Sequence, residues 1–180
     1  MEVDEWMRSN FYLGDDDYKE KSLDSLIARY EAFLKAESES IGFATNWEIS
    51  ASANVAFNHF GLMTYELSVY SYTGGAHGNG LIEFRNYDII SGNRLGLADM
   101  FSDTVALKNM MNDQFNERMP ADIKENIYVD EIPLTSNICL GKDSLTFFFN
   151  SYEIGPYAMG PVELKIAVQD LNSILKLKVN

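Results

Sequence analysis

From Trp47 the hydropathy of the chain switches to a period of two, and no other feature narrows the fold as much. Ile49, Ala51, Ala53, Val55 and Phe57 alternate with Glu48, Ser50, Ser52, Asn54 and, past Ala56, Asn58, the pattern of a strand buried on one face. Asn58-His59-Phe60-Gly61 reads as a turn, and Met63, Tyr65, Leu67 and Val69 resume the alternation. Segments 47–57 and 62–73 are therefore expected to form an antiparallel hairpin. Gly74-Gly75-Ala76-His77-Gly78-Asn79-Gly80, with four glycines in seven positions, separates them from a further strand at about 81–90. Ser91-Gly92-Asn93 is the next tight turn, after which Leu95 and Leu97 are expected to rejoin the sheet.

Helical periods flank these strands. Leu23, Leu26, Ile27, Tyr30, Phe33 and Leu34 recur at three and four residues behind Asp15-Asp16-Asp17, an amphipathic helix over about 17–38 with acids at its N-terminus. Asp103 is a suitable N-cap for a second helix that carries Leu107, Met110, Met111 and Phe115 on one face and ends before Pro120. Residues 121–135 are ambiguous. Beyond them, 137–140 and 145–149 around Gly141-Lys142-Asp143 read as a hairpin, 163–168 as a strand, and Asp170 as the cap of a short helix through Leu175. Strands joined by tight turns, rather than alternating one by one with helices, give α+β with a mostly antiparallel sheet, two main helices and a short C-terminal helix. The length of 180 residues fits one domain or two closely packed halves sharing a core.

Charge excludes several function classes. The chain has 27 acidic and 14 basic residues, a formal net charge of −13. Acids exceed bases in residues 1–40, 41–100 and 101–180 alike, so no basic patch survives for nucleic acid or an anionic membrane surface. The same charge would steer in a cationic partner, or serve solubility alone. Cys139 is the only cysteine, so no intrachain disulfide forms, and its apolar neighbours Ile138 and Leu140 suit a structural thiol. No apolar run is long enough to span a membrane, and Met1-Glu2-Val3-Asp4-Glu5 is not a leader. Either the protein is cytosolic, or the chain is a trimmed one lacking its leader.

Catalytic sets are scarce. The two histidines are His59, in a turn, and His77, among glycines that let a backbone approach a ligand closely or let sheet segments cross. The glycine loop runs from strand to strand, so it is neither a P-loop nor a dinucleotide fingerprint. Close ligand spacings for a metal are missing, and no cofactor motif is present. An enzyme would have to use His77 with a carboxylate such as Glu153 or Asp88, as a carbohydrate-active or peptidoglycan hydrolase. The other distinctive stretch is Phe147-Phe148-Phe149-Asn150-Ser151-Tyr152-Glu153-Ile154-Gly155-Pro156-Tyr157-Ala158-Met159-Gly160-Pro161. It reads as a rigid aromatic loop suited to recognition, or as two tyrosines plugging the end of a sheet. Tyr70, Tyr72 and Trp47 would enlarge the aromatic area if they share a sheet face with it.

The runs Tyr72–Asn79, Asn86–Phe101 and Phe147–Gly160 together resemble the DUF3298 family with its companion DUF4163 segment, over roughly residues 45–175. Ser151 departs from the proline often found there. The resemblance implies an N-terminal helical segment at 1–44, DUF4163-like strands and glycine loop at 45–100, and a DUF3298-like half at 101–180, packed as one unit. It also implies an α+β fold with a likeness to part of the actin/Hsp70-type ATPases, although no ATP-binding motif is present. Relatives of this kind are domains of envelope lipoproteins, the region preceding the catalytic domain of some peptidoglycan deacetylases, and the outer domains of anti-sigma factors that sense lysozyme by binding it. The implied role is a non-catalytic cell-envelope domain, extracytoplasmic and lipid-anchored in a longer precursor, that recognises a lysozyme-like protein or a cell-wall glycan. The two glycine-rich and aromatic loops make Tyr72, Gly74, Gly75, His77, Asn79, Tyr152, Pro156 and Tyr157 the candidate contact residues, and the resemblance puts Pro156 and Tyr157 foremost.

Overall fold

The computed structural model describes residues 48–72 and 74–179, together with 25, 28, 31–33, 35, 36 and 39. The last group is helical, as the stripe at 17–38 predicts, and Phe33 within it is exposed. Leu23, Leu26, Ile27, Tyr30, Leu34 and Trp47, named above, lie outside the described residues. The chain divides into two compact units, residues 1–53 with 68–80 and residues 54–67 with 81–180.

The alternating segments form strands β1 (Glu48–His59), β2 (Leu62–Tyr72) and β3 (Asn79–Asp88), joined by β4 (Arg94–Leu95) in a four-stranded sheet of order β1-β2-β3-β4. Phe60 and Gly61 make the first turn at φ 54° and 77°. At the β3–β4 turn Asp88 Oδ1 accepts the amides of Ile90 (2.8 Å) and Ser91 (2.9 Å). The chain then turns earlier than the sequence suggests. Leu97 opens the four-residue helix α1 (Leu97–Met100) rather than rejoining the sheet, because Asp99 Oδ2 accepts the Gly96 amide at 2.9 Å and closes a helical turn there.

Helix α2 (Thr104–Arg118) starts where Asp103 predicts, since Asp103 Oδ1 accepts from the amides of Val105 and Ala106, each at 2.9 Å. Its Leu107, Met111 and Phe115 are buried and Met110 packs at the edge of the core. The ambiguous stretch begins as a short helix, α3 (Ala121–Asn126), and continues without regular structure. A second sheet follows in the order β5-β6-β7, antiparallel throughout: β5 (Ile138–Cys139), β6 (Ser144–Phe149) and β7 (Val162–Ala167). Helix α4 (Val168–Leu171) is shorter than the sequence reading. Asp170 lies inside it while Ala167 holds the cap position, and Leu175 leaves the helix to bridge Phe101. Helix α2 packs on β7, and Leu107, Met111 and Phe115 share one core with Leu145, Phe147, Leu164 and Ile166.

Strand β4 is only two residues long and pairs β3 at Asn86 and Tyr87, so it leaves the 82–84 edge of β3 unlined. Side-chain amides line it instead. Asn150 accepts the Ile82 amide (2.7 Å) and donates to the Ile82 carbonyl (3.0 Å), while Asn137 accepts the Phe84 amide (2.7 Å) and donates to the same carbonyl (2.8 Å). Asn86, 2% exposed, completes the set by donating to the Ile138 carbonyl (2.8 Å) and accepting the hydroxyl of buried Thr64 (2.7 Å). Phe84 also meets Phe148 edge-on, with ring centroids 5.7 Å apart.

Replacing Asn86 by Leu strands the Thr64 hydroxyl and the Ile138 carbonyl, and an unmade buried hydrogen bond costs about 1–3 kcal/mol. Urea unfolding of Asn86→Leu should show a loss of about 2–3 kcal/mol, with part of it recovered in Thr64→Val/Asn86→Leu. A loss below about 0.5 kcal/mol would show that the pair does not hold the sheets together.

Candidate functional site

One surface feature of the second unit is built on the turn that follows β6. The Glu153 amide donates to the Asn150 carbonyl at 3.0 Å, and the Glu153 carboxylate accepts from both the Asn150 amide (3.0 Å) and its side-chain nitrogen (3.2 Å). Closing so tight a loop puts Tyr152 at φ 72°, a left-handed conformation uncommon outside glycine. The turn is pinned beyond Glu153 as well. Ile154 is buried and its carbonyl accepts the Tyr128 amide at 2.8 Å, while Pro156 to Gly160 close in a single 3₁₀ turn over Tyr157–Met159. Gly155 is buried, and a side chain there would collide with Met159.

The result is an aromatic surface with fixed geometry. Tyr152 is 54% exposed, its ring lies 5.6 Å from that of half-buried Tyr157, and the two planes meet at 35°. Pro156, also half-buried, leads directly into Tyr157. Three of the candidate contact residues therefore share one loop.

A groove of ≈ 270 Å³ runs beside this turn. Asn150 and Glu153 line one side, β3 with Glu83 another, and Arg94, Thr135 and Ser136 the rest. Arg94 Nη2 lies 3.3 Å from Glu83 Oε1, which Arg85 Nε also contacts at 2.8 Å. The Glu83 bond helps hold the Arg85 guanidinium above its ordinary value, against the opposing effect of burial. Thr135 Oγ1 accepts the Asn137 amide at 3.0 Å. Asn150 and Glu153 lie in the aromatic stretch and Arg94 in the Asn86–Phe101 run, but Thr135 and Ser136 do not stand out in the sequence, because they fall at and just past the end of the ambiguous stretch, and Asn137 acts at long range.

The other candidates belong to the first unit. The Tyr72 hydroxyl donates to the Gly75 carbonyl at 3.0 Å, tying the glycine loop to the strand before it. Gly74 and Gly75 adopt φ 91° and 99°, and Gly78 is buried so closely over the Tyr70 hydroxyl and ring that no Cβ fits there. The glycines thus let chain segments approach. His77 is exposed, with Nδ1 2.9 Å from the Gly78 carbonyl, and exposed Asn79 opens β3.

Chemistry at the remaining named groups is limited. Asp88 is committed to its turn, and the amides of Ser91 and Ile90 hold its carboxyl below the ordinary 3.8. Both Glu153 and Asp88 belong to the second unit, whereas His77 belongs to the first. No group of three or more metal-binding side chains occurs among the described residues. No helix among them is long and apolar enough to cross a membrane.

Comparison with known proteins agrees with this architecture. Residues 98–169 match the family model described as protein of unknown function (DUF3298), and residues 7–80 match the model described as deacetylase PdaC. The crystal structure of a DUF3298 family member from Bacteroides fragilis NCTC 9343 is 27% identical, with 97% of this chain and 76% of that one covered at a TM-score of 0.72. A DUF3298 family protein from Pseudomonas aeruginosa PAO1 is 28% identical, with 80% and 69% covered at a TM-score of 0.62. No curated protein matches the chain.

Burial, and secondarily the nearby Glu66 and Glu163 carboxylates, push the Cys139 thiol up to about 11 from 9.0. Thiolate is the reactive form, so alkylation of the folded protein by iodoacetamide at about pH 8 should run roughly a hundredfold slower than that of the urea-unfolded chain. Equal rates would overturn the reading of Cys139 as a buried structural thiol.

Proposed function

Residues 98–169 match the DUF3298 family model, and from that likeness we propose that the chain is a non-catalytic binding domain of the cell envelope whose recognition surface is the 150–161 loop. The observation that carries this reading is the Tyr152–Tyr157 pair, an aromatic face on a loop pinned by hydrogen bonds and a buried isoleucine. Pre-ordering matters because a contact surface that is already rigid loses little conformational entropy on binding. Tyrosine adds a broad apolar face and a hydroxyl at the cost of two side-chain torsions. The family resemblance supports placing the domain in the envelope, where the partner classes proposed are a lysozyme-like protein and the cell-wall glycan.

The acidic surface favours a cationic protein at long range, and the loop supplies the short-range contact. Pro156 and Tyr157 are the residues placed to touch it.

Calorimetric titration with a lysozyme should give a saturable heat that weakens roughly tenfold or more in Tyr157→Ala. Affinity should also fall as salt rises from about 0.05 to about 0.5 M, since exposed charges are screened over that range. Absence of heat with both lysozyme and soluble muropeptides would overturn the proposal. Salt-independent lysozyme binding would leave the charge with solubility as its sole role.

A further inference from the structure

We propose that the groove beside the 150–153 turn is a subsite for one uncharged sugar residue, held by polar side chains while an adjoining ring can rest on Tyr152. This deepens the envelope-binding reading, on which it rests for the source of the sugar.

Size comes first. At ≈ 270 Å³ the groove lies just below the range of about 300–1,000 Å³ occupied by sites for drug-sized molecules, which suits a single ring. Charge then selects the ligand class. The ionised side chains lining it are Arg94, Glu83 and Glu153, one cation against two anions. Arg94 is already paired with Glu83. A phosphate, a sulfate or an acidic sugar would meet net negative charge, and a metal ion would find both Glu153 oxygens engaged by Asn150.

What the groove still offers is a mixture of donors and acceptors. The side chain of Arg94 is 46% exposed and has N–H groups beyond the one facing Glu83. Glu83 receives both guanidinium contacts on Oε1, leaving Oε2 as an acceptor. Thr135 accepts through its oxygen and keeps its hydroxyl hydrogen to donate, and Ser136 is exposed with a hydroxyl that does both. Hydroxyl-rich rings are matched by such alternation, whereas apolar ligands are not. Tyr152 stands at the tip of the same turn whose two ends, Asn150 and Glu153, line the groove.

The test uses a soluble N-acetylglucosamine trimer followed by amide chemical shifts, with lysozyme titration of the same samples run separately. Expected are shifts centred on Glu83, Arg94 and Ser136 and an affinity insensitive to salt. Ser136→Trp, an exposed position where an indole fills the groove, should weaken trimer binding at least tenfold and leave lysozyme binding unchanged. Arg94→Ala removes a donor without touching the core and should weaken it severalfold, so the proposal does not depend on one variant folding. Absence of shifts, or equal trimer binding by wild type and both variants, would overturn the subsite. In that event retained lysozyme binding would leave the function proposed above standing, and its loss would overturn both. Tighter binding of an acidic sugar such as glucuronate would overturn the assignment to uncharged ligands.

Discussion

The two asparagine amides that line the edge of β3 are the contact on which the rest of the second unit depends. A strand edge has peptide donors and acceptors in fixed alternation, and leaving them unpaired away from water is costly. Strand β4 ends too soon to cover Ile82 and Phe84. Asn137 and Asn150 present the donor and acceptor of a peptide on a short side chain and complete the ladder where no backbone does. Aspartate would lack the donor, and a longer amide would change the spacing. Asn86 then carries the connection onward to Ile138 in the second sheet.

Fixing those amides also fixes what is attached to them. Asn150 is at once the partner of Ile82 and the first residue of the turn that displays Tyr152, so the strand edge and the aromatic loop share one anchor. Glu153 does similar double service, since its carboxylate holds Asn150 and its backbone closes the turn. The one carboxylate of the loop is engaged in holding the turn in shape.

The elements that rest on local chemistry were legible in the sequence. Period-two alternation gave the hairpin of β1 and β2 within two residues, and Asp103 marked the start of α2 because a cap acts on amides two and three positions ahead. Leu97 and Asp170 misled for a related reason. Leucine suits either period, and the turn set by Asp99 decided the matter, while Asp170 resembles a cap but lies within a helix that the pairing of Leu175 with Phe101 cuts short. The aromatic loop was visible from its Tyr, Gly and Pro content. The groove was not, because its walls meet through bonds spanning 53 and 68 residues, and spacing along a chain carries no record of such contacts.

Net charge and local charge then pull in different directions, which sets what each surface can recognise. A charge of −13 spread over the chain acts at a distance and favours cationic partners of any shape. Inside the groove Arg94 offsets Glu83 and Glu153 leaves one net negative charge, which disfavours anions, so that for an uncharged ligand the direct hydrogen bonds decide. A screened interaction and an unscreened one can thus coexist within a few residues of each other. Salt separates them, because raising ionic strength shortens the reach of the global charge while leaving the direct hydrogen bonds of a small uncharged ligand nearly unaffected.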